Sequence, residues 1–407
     1  MANTVESCEV PSASSGPSPR LVQTAPFYQD MTELAFREYF SQERMLEKMG
    51  NTTLHTPDCF VVAYKYSAWH PSPVMEQRFG NGWTEFELVK GWRRIFPEHI
   101  GAKRPLWGFF NEADPDWVSR EIDTAVRYGI NAWMINWYWH DGIMFYHEQL
   151  ENGFLKAPNR DKIKFAIMWA NHDWKDVFPA KSPEDASMIL PQRYSEADLL
   201  RLFDYCIRNY FVEPNYWRIN GGLVFGILDL ATLVESLGLE TVKRTFATMR
   251  QRVRHAGLGE LHLQSNHVHG NPAHLKELGI DSTTSYHLFA WTYCKETGGI
   301  TPYGAAASES IESWQRSRAV MPVPFLPDCA VGWDDSPRFG ARSQIVSNRS
   351  PDQFERLCRA ARSFSYNNKE RIVFLSAWNE WTEDHVLLPD WLFGYSYLEA
   401  VRRAFRE

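Results

Sequence analysis

The 407-residue chain carries 43 Lys and Arg against 50 Asp and Glu, a net charge of −7. Its densest basic run is the short "KGWRR" at 90–94, so the footprint of a nucleic-acid-binding protein is excluded. The N-terminus lacks an apolar signal core and no run of ~18 apolar residues follows, and six scattered cysteines (Cys8, Cys59, Cys206, Cys294, Cys329, Cys358) fit neither a disulfide framework nor a zinc site. These features predict a soluble cytoplasmic protein that needs no membrane, metal or cofactor; they leave its oligomeric state open.

In chain order, residues 1–25 are rich in Ser and Pro and read as a disordered tail. Residues 26–57 carry helical spacing (Leu34, Phe36, Tyr39, Phe40, Met45, Leu46) and read as a segment packed on the main domain. From residue 60 to the end, short apolar runs alternate with helical patterns. The runs are Phe60–Tyr64, Ile130–Ile135, Phe165–Trp169, Leu223–Leu228, Leu261–Gln264, Asp281–Tyr286, Val323–Val331 and Ile372–Trp378. Helical stretches, such as 117–128, 196–210, 239–255, 308–318 and 351–364, lie between most of them, and a last one covers 394–405. Eight strands alternating with helices predict a (β/α)8 barrel over 58–407 as one main domain with long strand-end loops. The rival is an open doubly wound sheet. That fold usually places a Gly-rich phosphate loop after its first strand, whereas here the strand leads into "KYSAWHPSP".

Such a barrel builds its active site where the strands end. Those ends are loaded with Trp, Asn, Asp, Glu and His. They supply Tyr64, Trp69, His70, Trp83 and Glu85 after the first run, Trp137 and Trp139 after the second, and Trp169, Asn171 and Asp173 after the third. Asp229, His267, Tyr286, Trp333 and Asp334 follow, and the last run ends in "WNEWTED" with Asn379, Glu380, Trp381 and Glu383. Indoles beside hydrogen-bonding groups suit sugars, whose C–H faces stack on rings while their hydroxyls need polar partners. The 17 Trp, 17 Tyr and 25 Phe residues fit that reading, although a large barrel also uses aromatics as core.

Glu380 and Glu383 are three apart in a tight or helical turn, which puts them on one side with Cβ atoms ~5–6 Å apart. Cleavage of a glycosidic bond commonly needs two carboxyl groups, one protonated and one ionised. Mutual repulsion and burial against Trp378 and Trp381 would raise one pKa. The plainer reading is a helix N-terminus, where acids favour the dipole. "HVH" at 267–269 could suggest a metal, but alternate strand residues face opposite ways, so an isolated sugar-binding or structural His is the better expectation. "WDDSP" at 333–337 also reads as an Asx-type turn.

At these residues the chain resembles the WbsX-type, glycoside hydrolase family 99-like proteins. Seven motifs carry the resemblance in order: "VVAYKYSAWHP", "GWTEF", the block "ADPDWVSREIDTAVRYGINAWMINWYWHDG", "MWANHDW", "GWDDSPR", "AWNEWTED" and "LPDWLFGYSYLEA". The resemblance implies a (β/α)8 barrel acting on a carbohydrate. The related family 99 enzymes are retaining endo-α-mannosidases. Carried over, Glu380 takes the proton of the sugar 2-hydroxyl and Glu383 is the general acid, with no covalent sugar–enzyme bond. The sequence departs from the motifs in places. Asp384 stands where a glycine is usual after the second glutamate, His172-Asp173 replaces Glu-Asn, and His385–Leu388 lacks an acid and a histidine of the pattern. These departures imply a sugar specificity unlike that of the α-mannosidases. The alternatives are a glycosyltransferase of polysaccharide biosynthesis and a catalytically inactive sugar-binding barrel. The first would need an activated donor, for which no Rossmann-like domain is visible; retention of both glutamates argues against the second.

Overall fold

The structure, a computed structural model, describes residues 59–101, 103–178, 186–266, 270–286 and 299–406. The expected tail and N-terminal helical segment lie outside these residues. Eight parallel strands form the centre: β1 (Phe60–Lys65), β2 (Ala132–His140), β3 (Lys164–Trp169), β4 (Gly222–Ile227), β5 (Glu260–Ser265), β6 (Ser282–Thr283), β7 (Asp328–Ala330) and β8 (Ile372–Ser376). Their spatial order is β6-β5-β4-β3-β2-β1-β8-β7. The sheet curls until β6 meets the chain just ahead of β7. There Thr283 N–H donates to Pro324 O at 2.9 Å and Leu326 N–H donates to Thr283 O at 2.8 Å. The chain is thus an α/β protein of (β/α)8 barrel architecture.

The principal helices are α1 (Pro115–Arg127), α2 (Glu196–Asn209), α3 (Leu239–His255), α4 (Tyr303–Val320), α5 (Pro351–Asn367) and α6 (Ser396–Arg406). Each expected helix falls within about a turn of one of these, except that α4 begins five residues before 308. Caps explain where several start. Asp114 accepts from Asp116 N–H ahead of Pro115, Ser195 accepts from Asp198 N–H, and Ser350 accepts from Gln353 N–H ahead of Pro351. Two crossovers are reduced: π and 3-10 turns over 149–162 connect β2 to β3, and the short helix Ala273–Glu277 connects β5 to β6. Among the described residues, no helix is long and apolar enough to cross a membrane.

Side chains of β1 alternate in the usual way. Tyr64 and Tyr66 point into the barrel, while Lys65 points out to α1. The Lys65 ammonium lies 2.6 Å from Glu112 and 2.8 Å from Glu121, and all three side chains are fully buried. Trp378 Nε1–H donates to Glu121 at 3.2 Å, and the Trp133 ring lies 4.8 Å beneath the ammonium. Two carboxyl groups thus share one buried cation. Burial, only partly offset by Lys65, pushes Glu112 up from 4.5 to about 8, so the group is close to neutral overall at pH 7.

Removing the cation would leave buried carboxyl groups uncompensated. Lys65→Met is therefore expected to cost ~3–5 kcal/mol in denaturant unfolding, and Glu112→Gln far less. Folded Glu112 keeps a proton that the unfolded chain loses near pH 4.5. Its contribution is present below that value and is lost as pH rises to about 8. Stability should fall across this window in the wild type, and the slope should flatten in Glu112→Gln.

Candidate active site

Beyond β8 the chain forms a small hairpin. Asn379–Glu380 pairs antiparallel with His385–Val386, and the 3-10 turn Trp381–Glu383 joins them. Residues three apart eclipse in such a turn, so both glutamates face the same guanidinium. Arg338, on the short helix Ser336–Phe339 after β7, reaches Glu380 Oε1 at 3.3 Å and Glu85 Oε2 at 3.2 Å through Nη2, and holds Glu383 Oε1 through Nη1. Glu85, from the loop after β1, also accepts a 2.5 Å bond from the Tyr66 hydroxyl.

The Thr382 hydroxyl lies 2.8 Å from Glu85 Oε2 and 2.9 Å from Glu380 Oε1. One hydroxyl donates one proton. Both contacts are satisfied only if one of the carboxyl groups is protonated and donates to the threonine. The electrostatics agree. Burial, then the charge of Glu383, drives Glu380 well above the ordinary carboxylate range against the pull of Arg338. Burial also raises Glu383, opposed by Arg338 and by a hydrogen bond with Tyr286. Tyr66, Tyr138, Tyr146 and Tyr286 surround the cluster. Burial and the neighbouring carboxylates push all four phenols well up, so they remain hydrogen-bond donors.

A second layer fixes this arrangement. Asn379 accepts from Tyr66 N–H at 2.8 Å and donates to Tyr66 O at 2.9 Å and to Glu112 at 2.6 Å. Asp334 N–H donates to Glu383 O at 2.8 Å, while its carboxylate meets His99 Nε2 at 2.8 Å and accepts from Ser336 N–H. Asp384 takes a left-handed conformation, φ 52°. Its buried carboxylate is held by Arg349 and lies 3.9 Å from the Lys103 ammonium.

Of the residues expected on this rim, Glu85, Tyr286, Glu380 and Glu383 are brought together. Several others are turned away. Trp137 donates to Tyr210 at 3.1 Å, Trp139 donates to Asp198 at 3.1 Å, and Trp169 donates to Trp139 O at 3.2 Å. All three indoles lie between the barrel and the α2 side. Strand parity is the reason: the intervening Tyr138, not its tryptophan neighbours, faces the glutamates. Trp69 and Trp381 are fully buried, Trp69 against Tyr66 and Phe86. Trp83 stacks on Phe79 at 4.5 Å, and Trp333 packs on His385 at 5.6 Å. His70 contacts Glu148 at 3.2 Å, and Tyr64 is tied to Asn266 inside the barrel.

The polar strand-end residues mostly serve the chain itself. Asn171 bridges to Asp229 O and N–H, Asp229 caps the helix Leu230–Leu237, Asp173 accepts from Gln192 N–H, and Asp334 forms the Asx-type turn. His267 lies outside the described residues. Arg338, Tyr66, Tyr138 and Thr382 were not singled out by the sequence reading. Arg338 closes the "GWDDSPR" motif and Tyr138 sits between two chosen tryptophans, so motif position and strand parity were the available signals.

The family model described as "Glycosyltransferase WbsX" matches residues 61–401. Two proteins of Xanthomonas campestris pv. campestris, both named "Uncharacterized protein WxcX", are 25% identical to the chain. The matches cover 89% and 84% of this chain and 52% and 49% of those proteins, so the chain spans about half their length. Among solved structures, a GH99 endo-α-mannosidase from Bacteroides thetaiotaomicron is similar at TM-score 0.58 and 13% identity, covering 86% of this chain and 96% of that one. A glycoside hydrolase-like protein is similar at TM-score 0.56 and 16% identity, covering 88% and 97%. At these identities the likeness is one of fold.

The two tryptophan and arginine environments make opposite predictions. Trp139→Phe takes a donor from the buried Asp198 carboxylate and should lower stability by ~1–3 kcal/mol, with no effect on Glu380. Arg338→Met removes the cation that holds Glu380 and Glu383 down, so both carboxyl groups should titrate at still higher pH. Denaturant unfolding and carboxyl 13C NMR titration of the two variants check this.

Proposed function

The chain belongs to the glycosyltransferase WbsX family, and on that premise we propose that it is a retaining glycoside hydrolase acting on an oligo- or polysaccharide or a glycoconjugate. The observation that carries this reading is the convergence of Glu380 and Glu383 on one guanidinium. One cation shared between them sets two carboxyl groups side by side on the rim, and a pair of carboxyl groups is what glycosidic cleavage commonly uses.

In the cycle proposed, Glu380 accepts the proton of the substrate 2-hydroxyl. O2 attacks C1, and the departing glycosidic oxygen takes a proton from Glu383. The product of this half is a 1,2-anhydro sugar. Water, deprotonated by Glu383, then opens it at C1, and O2 recovers its proton from Glu380. Two inversions give net retention. In the ligand-free arrangement burial raises Glu380 well above the ordinary carboxylate range, while Glu383 is tied to Arg338. The proposed roles require Glu380 ionised and Glu383 protonated once substrate is seated and Arg338 is drawn off. Arg338 and the tyrosine hydroxyls are the groups placed to hold sugar hydroxyls. A transferase reading is favoured by the family description and differs in needing an activated sugar donor.

Glu380→Gln and Glu383→Gln should each lower turnover at least ~10²-fold, the usual scale for acid–base groups, with unfolding midpoints near wild type. Either variant retaining full turnover would remove the assignment. Assays on aryl glycosides and oligosaccharides, run with and without nucleotide sugars, separate hydrolase from transferase. A substrate methylated at O2 should bind but not turn over, and a 2-fluoro sugar should leave no adduct on Glu380 by mass spectrometry. The pH–rate profile should be bell-shaped. Both limbs belong to the coupled pair and should lie above the ordinary carboxylate range, since burial raises both groups.

A further inference from the structure

A cavity of ≈ 370 Å³ lies on the outer side of α1. That is within the size range of small-ligand sites. Its base is aromatic. The Trp107 Nε1–H donates to the Tyr395 hydroxyl at 3.1 Å, and the Tyr395 ring stacks on Tyr128 with centroids 5.9 Å apart. Its rim is the polar face of α1, where Asp116, Arg120, Asp123 and Arg127 recur at helical spacing and are exposed. The opposite face of the same helix buries Val118, Ile122 and Ala125.

Three observations distinguish this cavity from an ordinary surface cleft. First, the Trp107 loop is fixed by backbone hydrogen bonds, from Leu106 N–H to Pro389 O at 2.9 Å and from Trp391 N–H to Arg104 O at 3.0 Å. Second, Tyr128 is 1% exposed, lines the cavity, and its hydroxyl has no hydrogen-bond partner. A buried hydroxyl left unpaired is costly, and a ligand oxygen would satisfy it. Third, the rim presents charges of both signs, Asp116 and Asp123 beside Arg120 and Arg127, with Asp123 also 2.8 Å from the Lys162 ammonium. An anion would meet Asp116 and Asp123, and a cation would meet Arg120 and Arg127. A neutral molecule dense in hydroxyls can use both sets, as each hydroxyl donates and accepts.

We propose that this cavity is a glycan-binding site separate from the glutamate cluster, taking one or two neutral sugar rings. The C–H face of a pyranose rests on the Trp107 ring. The Arg120 guanidinium now lies 4.0 Å from that ring's centroid; being exposed, it swings aside and donates to the ring hydroxyls. Asp116 and Asp123 accept from hydroxyls of the sugar, and one sugar oxygen reaches Tyr128. Such a site would hold a chain of sugars along α1 whatever the reaction at the rim.

The test uses the full chain carrying Glu380→Gln, so that binding is read without turnover and independently of the proposed hydrolysis. Tryptophan is replaced by 5-fluorotryptophan, and the Trp107 19F signal is identified by its loss in Trp107→Phe. Neutral oligomers of mannose, glucose, galactose and N-acetylglucosamine, and one sulfated oligosaccharide, are added at millimolar concentration. The Trp107 signal should move with at least one neutral oligomer. Asp116→Ala, an exposed change that leaves the fold intact, should weaken that binding about 10-fold, on the scale of a lost charge-assisted hydrogen bond. A Trp107 signal unmoved by every neutral oligomer, a stronger response to the sulfated one, or an unchanged affinity in Asp116→Ala would overturn the proposal.

Discussion

A single guanidinium among three carboxyl groups is the constraint around which this molecule is organised. Arg338 touches Glu85, Glu380 and Glu383, which come from the loops after β1 and β8, while the arginine itself follows β7. Ionised together, the four groups would carry an excess of negative charge in a place with little water. Protonation relieves the excess, and the shared Thr382 hydroxyl, which can donate to only one of them, calls for a proton on either Glu85 or Glu380. The strand order makes this possible, because β1, β8 and β7 are consecutive neighbours in the sheet and end on one stretch of the rim.

The surroundings are arranged so that the carboxyl groups cannot relax apart. Asn379 staples the exit of β8 to Tyr66, and through Glu112 it reaches the Lys65 cluster outside the barrel. The hairpin that displays the glutamates is held from its other side by Asp334 and its partner His99. Thus polar groups that look available on paper are spent on geometry. The glutamate pair is thus set by two layers of contacts, one on the barrel wall and one beyond it.

The sequence made the strand order and the eight strand positions legible, since each is a short β-branched or aromatic run between helical patterns. The pairing of Glu380 with Glu383 was also legible, as spacing within one turn is local information. Side-chain direction was harder. In "NWYWHDG" the tryptophans drew attention, yet the strand runs five residues past the expected run, from Ile135 to His140, and its parity sends Tyr138 inward. Asn171, Asp229 and Asp334 fit a sugar-site pattern equally well as caps and bridges, and only three-dimensional partners decide between these uses. Arg338 was hidden for a different reason. Its importance comes from contacts 42, 45 and 253 residues away, which no periodicity encodes.

The left-handed residue in the hairpin has a consequence for how this chain can vary. At Asp384 the backbone holds φ at 52°, a conformation that glycine adopts freely and aspartate with a modest penalty. Glycine there would relieve the backbone and at the same stroke remove the carboxylate that Arg349 and Lys103 share in the interior, leaving them the smaller pulls of Asp390 and Asp334. The three positions therefore form one heritable unit. A homologue bearing glycine at this turn should not also keep both buried cations, and drift at any one of the three should drag the other two with it.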